Sequence, residues 1–130
     1  MAHYLDTSAL VKLVVAEEET SALMSWLPDE GRDLVSSDLA RTELLRAVRR
    51  TADDRAREAR VVLDSITLVP VTTRIFEAAG HLDPTVLRTL DAIHLTAALE
   101  LGDDLEGIVT YDDRMADAAR SHGIAVVAPR

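Results

Sequence analysis

The sequence contains no cysteine. Disulfide staples, zinc–thiolate sites and thiol nucleophiles are therefore excluded, and a reducing, cytoplasmic setting is expected. Aromatic residues make up only 3% of the chain, with one Trp, two Tyr and one Phe, which leaves little for a base-stacking platform. Five glycines and four prolines in 130 residues leave no room for low-complexity tracts or long flexible linkers. No run of about eighteen apolar residues occurs, so no segment is expected to span a membrane. The longest apolar stretch, residues 8–16, is interrupted by Lys12 and begins too late for a secretion signal. Lys12 is also the only lysine.

Apolar residues account for 48% of the chain. That amount suits one domain, residues 1–130, built on one core. Acids outnumber bases by 23 to 14, for a formal charge of −9, which argues against a nonspecific nucleic-acid binder. The positive charge is uneven, however. Arg41, Arg46, Arg49, Arg50, Arg55, Arg57 and Arg60 crowd one segment. Two readings of it stay open: solvated helix faces paired with Asp53, Asp54 and Glu58, or contacts to phosphates.

Strand and helix patterns alternate along the chain. Strands are expected at residues 2–5, 34–36, 67–69, 107–110 and 124–127. Helices are expected at 8–15, 17–27, from Ser37 or Asp38 to Arg50, then to Ser65, from Thr72 to Gly80, from Thr85 or Val86 to Leu101, and from Asp112 to His122. Pro28 stops the second helix, while Gly102 and Gly123 supply C-caps. Strands separated by helices imply right-handed crossovers, hence an α/β fold: a mostly parallel sheet of about five strands with helices on both faces.

Four acids fall where such a sheet does its chemistry, at the carboxyl ends of strands. Asp6 ends the first strand and Asp112 follows the fourth. Glu43 lies early in the helix after the second strand. Asp91 shares a helical stripe with Leu87, Leu95 and Ala98, a face normally buried, and a buried carboxylate demands a partner or a metal. Taken singly, Asp6 and Asp112 read as helix caps, Glu43 as surface, and Asp91 as the partner of an arginine or of His94. Taken together, they read as a cation site: converging carboxylates repel unless a cation lies among them. Oxygen ligands without Cys or His point to Mg²⁺ or Mn²⁺. His3, His81 and His122 fit no ligand spacing. Trp26 fits a core or dimer position. Tyr111, beside Asp112, is the one candidate for stacking on a base.

The motifs L-D-T-S-A-L at 5–10, S-S-D-L-A-R-T-E-L at 36–44, D-A-I-H-L-T-A-A at 91–98 and T-Y-D-D-R at 110–114 occur in order across nearly the whole chain. In this the chain resembles the PIN domain, in particular the small VapC-type toxins of bacterial toxin–antitoxin pairs. The resemblance implies a PIN-like α/β/α sandwich and a Mg²⁺-dependent endoribonuclease, with Mn²⁺ able to substitute. It implies that Asp6, Glu43, Asp91 and Asp112 hold one or two ions, with Ser8 and Thr110 orienting carboxylates or water. Asp113 adjoins Asp112 and competes for its role, and His94 is a packing or supporting residue. An activated water would attack phosphorus, leaving 5′-phosphate and 3′-hydroxyl ends on structured RNA, transfer or ribosomal. Arg46, Arg49 and Arg50 are the candidates for RNA contact.

The resemblance also implies a homodimer and a cognate VapB-type antitoxin, and the apolar residues 8–27 are the candidate dimer surface. Two other readings compete. A haloacid-dehalogenase-type phosphatase needs a second acid two residues after Asp6, where Ser8 stands, and a later lysine that is missing. A catalytically silent PIN-like module would bind RNA or protein without cutting.

Overall fold

Strand β1 (Ala2–Leu5) is buried at every position, which a strand tolerates only inside a sheet covered on both faces. The computed structural model describes residues 1–29 and 31–130. After β1 come α1 (Thr7–Lys12), α2 (Thr20–Trp26), β2 (Asp33–Ser37), α3 (Leu39–Thr51), α4 (Ala56–Asp64), β3 (Thr67–Val69), α5 (Thr73–Gly80), α6 (Thr89–Leu99), β4 (Leu105–Val109), α7 (Asp113–Ser121) and β5 (Val126–Val127). All pairings are parallel, in the order β3-β2-β1-β4-β5. The expected α/β class and five-stranded sheet are what the chain adopts.

Side chains alternate across the sheet with period two. Tyr4 and Ile108 enter the core beneath α5, α6 and α7. Leu5 and Val109 enter the core beneath α1 to α4. On α3 the spacing of Ala40, Leu44 and Val48 places all three on one face, each with no exposed surface. A fully buried Leu of this kind contributes about 2 kcal/mol.

The order of the strands decides where function sits. Successive connections run outward from β1 on one side, through β2 to β3, then return to place β4 on its other side. The switch point therefore lies between the carboxyl ends of β1 and β4, where an open α/β sheet leaves a crevice. Asp6 and Asp112 follow those two strands directly.

Several boundaries differ from the sequence expectation. The helix expected from Thr85 or Val86 starts at Thr89, because Leu87 turns back so that its amide meets the Pro84 carbonyl at 3.1 Å while its side chain enters the core. Helix α6 then has no single buried face: every residue from Ala92 to Ala98 is buried. Asp91 is thus no member of an apolar stripe with Leu87. It stands in the helix's first turn, at the sheet edge. The helix expected over residues 8–15 ends at Lys12, and that expected over 17–27 begins at Thr20. There the Thr20 hydroxyl donates to the Lys12 carbonyl at 2.8 Å, fixing a turn between them. The apolar residues of α1 and α2 also serve the chain's own core, since Ala9, Leu10 and Leu23 are wholly buried. The strand expected at 124–127 shortens to Val126–Val127, because the Ile124 amide bonds the Ala119 carbonyl at 3.0 Å around Gly123, whose φ is +75°. That closes α7 as anticipated.

Gly107 lets β4 and the segment before β5 approach closely. A Cβ there would lie 3.1 Å from the Ala125 carbonyl oxygen, which already accepts from the Ile108 amide at 2.9 Å. Gly107→Ala is therefore expected to lower stability by about 1–2 kcal/mol, measured by urea unfolding. An unchanged midpoint would mean that the edge strand shifts freely.

Candidate active site

Asp6, Glu43, Asp91 and Asp112 line one cavity of about 470 Å³, together with Thr7, Ser8, Arg50 and Arg88. All four acids singled out in the sequence thus meet at the switch point. A larger hollow of about 700 Å³, lined by Val86, Leu87 and Ala118 among others, lies elsewhere. Its surface is mostly apolar and none of the four acids reaches it.

Asp6 is the innermost, with 3% of its surface exposed. Its Oδ1 accepts from the Ala9 amide at 3.1 Å, capping α1, and from the Ser8 hydroxyl at 2.6 Å. Its Oδ2 accepts from the Thr110 hydroxyl. Burial pushes the Asp6 carboxyl above its ordinary value, opposed by these hydrogen bonds and by the charge of His94. Ser8 and Thr110 do orient this carboxylate. They also tie the ends of β1 and β4 together, Thr110 through this bond to Asp6 and Ser8 by accepting from the Tyr111 amide at 2.9 Å.

Asp112 divides its two oxygens. Oδ1 accepts from the Arg114 and Met115 amides at 2.9 and 3.0 Å, capping α7. Oδ2 faces Arg88 Nη2 at 3.5 Å. The capping reading of Asp6 and Asp112 is thus true of one oxygen in each; the other is held by Thr110 in Asp6 and faces Arg88 in Asp112. Asp113, the first residue of α7, does not line the cavity.

Glu43 is not a surface residue. Its Oε1 accepts from the Thr7 hydroxyl at 2.9 Å and forms a short contact with His94 Nε2. Behind it, His94 Nδ1 meets the Tyr4 hydroxyl at 2.7 Å. For a neutral imidazole, all partners are satisfied if Nε2–H donates to Glu43 and the Tyr4 hydroxyl donates to Nδ1. Burial raises the Glu43 carboxyl, but the His94 hydrogen bond and charge, with Thr7, outweigh it and hold the group below its ordinary value. Asp91 is pushed up by burial and by neighbouring Asp112 and Glu43, against the pull of Arg88. Arg88 Nε stands 3.4 Å from Asp91 Oδ2.

Two participants carry no role in the sequence reading: Thr7, there only a motif residue, and Arg88. His94 supports Glu43 through a hydrogen bond, within its reading as a packing or supporting residue. Arg88 stands one turn ahead of Asp91, a spacing that could have flagged an ion pair. Among the candidate RNA contacts, Arg50 lines the cavity. Arg46 and Arg49 are exposed outside it, Arg49 lying 3.7 Å from Asp53. Arg55, from the same basic segment, is exposed, and its guanidinium donates to the Val14 carbonyl. Tyr111 is equally committed: its hydroxyl donates to the Pro129 carbonyl at 2.9 Å, and its ring lies beneath the buried Lys12 ammonium. Trp26 is partly buried, stacked beneath Arg32 with its ring edge-on to His3.

The donor set fits a hard divalent cation: carboxylate oxygens, with the most buried of them disfavoured as a bare charge. Among the described residues no three acids or imidazoles converge tightly enough to enclose an ion unaided. Arg88 stands meanwhile between Asp91 and Asp112.

Comparison with known proteins gives a consistent result. A family model described as PIN domain matches residues 3–121. The chain is 48% identical over 126 residues to Ribonuclease VapC46 of Mycobacterium tuberculosis, covering 97% of this chain and 96% of that protein. It is 40% identical over 130 residues to Ribonuclease VapC47 of the same species, with the same coverage. Among solved structures, Mycobacterium tuberculosis VapC20, described as a sarcin–ricin loop cleaving toxin, superposes with a TM-score of 0.77 at 16% identity, over 89% of this chain and 94% of that one. A toxin–antitoxin complex from Klebsiella pneumoniae gives 0.70 at 20% identity, over 98% of each chain.

Proposed function

That the chain belongs to the PIN-domain family is the premise from which we propose its function: a metal-dependent endoribonuclease, the toxin of a VapBC-type toxin–antitoxin pair. The observation that carries the proposal is the meeting of four sequence-distant acids in one cavity at the switch point. Relatives named as ribonucleases at up to 48% identity support it.

Asp6 and Asp91 are the residues that would hold Mg²⁺, or Mn²⁺ in its place; Glu43 and Asp112 would position water or a second ion. When bound, such an ion supplies an acidified water and neutralises charge on the phosphoryl oxygens. The chain's own residues do the rest. Ser8 and Thr110 fix the Asp6 carboxylate in one orientation, so no reorganisation is needed as charge develops. The Tyr4–His94–Glu43 relay and Thr7 hold the Glu43 carboxylate ionised and aimed into the cavity, where it can accept a proton from water. Arg50 offers a guanidinium to the RNA phosphate on the same wall, with Arg46 and Arg49 following the strand outside. Cleavage by water leaves a 5′-phosphate and a 3′-hydroxyl.

The substrate is structured RNA, transfer or ribosomal, a choice supported by the sarcin–ricin loop named as the target of one structural relative. The partner is a VapB-type antitoxin, a reading supported by the toxin–antitoxin complex of one structural relative and the VapBC2 complex of another. A basic antitoxin segment would be steered by the charge of −9. The chain acts as a homodimer in the cytoplasm. Among the described residues no helix is long and apolar enough to cross a membrane.

Purified protein incubated with total cellular RNA and Mg²⁺ is expected to produce discrete new 5′ ends. EDTA should suppress them, and excess Mg²⁺ or Mn²⁺ should restore them. Cuts that survive EDTA would overturn the metal-dependent reading. Replacing Arg46, Arg49 and Arg50 together should lower the slope of log K against log salt by about two for single-stranded RNA. An unchanged slope would remove these arginines from the phosphate contacts.

A further inference from the structure

Among the described residues two cations line the acidic cavity, and only one of them engages the acids. Arg50 lies on the wall. Arg88 has extended backbone angles, φ −64° and ψ 152°, just before α6, and its guanidinium bridges two elements. Nε is 3.4 Å from Asp91 Oδ2 and Nη2 is 3.5 Å from Asp112 Oδ2. A planar fork can address two carboxylates at once with different nitrogens, which an ammonium cannot do in one plane. In charge, the guanidinium does there what a metal ion would do. The contacts are long, however, and the side chain is 66% exposed, so solvent screening keeps the hold weak.

We propose that Arg88 occupies the cation seat between Asp91 and Asp112 in the metal-free protein, competes with the incoming divalent ion, and, once displaced, turns to the RNA phosphate. The proposal rests on the metal-dependent reading above. It makes Arg88 a positioning residue that exchanges partners. Without metal it keeps two carboxylates from repelling each other. With metal it becomes a cation at the cavity mouth, where phosphate arrives.

The test is calorimetric titration of the whole chain with Mn²⁺, comparing wild type with Arg88→Gln, Arg88→Lys and Arg50→Gln. Because Arg88 is largely exposed, its variants should fold, which unfolding curves would check. Arg88→Gln is expected to bind Mn²⁺ about fivefold more tightly, as befits the loss of two weak ion pairs. Arg88→Lys should fall between it and wild type, and Arg50→Gln should stay near wild type. Equal tightening by Arg50→Gln would reveal a general field effect and overturn the proposal. Unchanged or weaker binding by Arg88→Gln would overturn it alone, with the metal reading intact. Failure of every form to bind Mn²⁺ would remove both. A second readout uses a single-stranded DNA oligonucleotide as a chain of phosphates. Arg88→Gln should lower the salt slope of its binding by about one in Mn²⁺ and leave it unchanged in EDTA. The same loss in both conditions would overturn the exchange of partners.

Discussion

Asp6→Asn is expected to abolish RNA cleavage, by at least about a thousandfold, while the protein unfolds no more easily than before. The two halves of this outcome share one cause. Asp6 is 3% exposed and its carboxylate is raised by burial, so the charge that would hold a cation is also a cost to the metal-free fold. A carboxyl whose folded pKa is raised favours the native state below its unfolded value of 3.8, and that advantage is lost as pH rises through the folded value. Asparagine has the same shape without the charge. Its oxygen can still accept from Ser8 and the Ala9 amide, and the Thr110 hydroxyl can rotate to accept from its amide. In EDTA at neutral pH, Asp6→Asn should therefore match or exceed wild type in thermal stability, with the difference closing in acid. Wild-type levels of cleavage by the variant would remove Asp6 from the chemistry. A large loss of stability would instead make it a structural residue.

The second large effect falls on the fold. His94→Ala is expected to cost about 3 kcal/mol or more, because it strips two buried groups of their partner and opens a cavity. His94 is 1% exposed and stands between the Tyr4 hydroxyl and Glu43. Tyr4→Phe removes only the outer link and should cost about 1 kcal/mol. In a double-mutant cycle the two should couple, since Phe leaves nothing at the ring nitrogen to lose. The pH dependence has the opposite sign to that of Asp6. Glu43 is held below its ordinary 4.5, so its contribution is present above 4.5 and is lost as pH falls through the lower folded value. Without His94 that loss should shrink, which acid unfolding monitored by circular dichroism would show. If His94→Ala melts like wild type, the relay from Tyr4 to Glu43 does not hold this part of the site.

What could be read in advance followed short-range rules. Asp6 and Asp112 stand where a strand gives way to a helix, and a parallel sheet sends every such end to one edge. Their place in a common site was therefore visible from local pattern alone. The α/β class followed from the same alternation. The parts that escaped depend on contacts far apart in the chain, or on a helix start misjudged by one turn. Tyr4 and His94 are separated by 90 residues, and no periodicity reports a hydrogen bond between them. Arg88 falls inside the helix expected from Thr85 or Val86, where nothing sets it apart. Once α6 begins at Thr89, the extended backbone at Arg88 lets its guanidinium reach Asp91. The choice between Asp112 and Asp113 was undecidable for a related reason, since the cap sets which of two adjacent carboxylates faces inward. Glu43 falls over the right edge, but that His94 restrains it in particular depends on a contact 51 residues away in the chain.

The central place of β1 also has a consequence for the order in which the protein comes into being. β1 is made first, yet its partner β4 and the Thr110 hydroxyl that fixes Asp6 lie 104 residues later. Closing so long a loop is entropically slow and comes late in folding. During synthesis, then, Asp6 waits on a strand with one side unpaired until residues 105–112 clear the ribosome. A nascent or truncated chain that stops before that point carries Asp6, Glu43 and Asp91 but cannot assemble them. Assembly of the site therefore waits on the last-made stretch of the chain, and removal of residues 105–130 is expected to leave a protein that cuts no RNA.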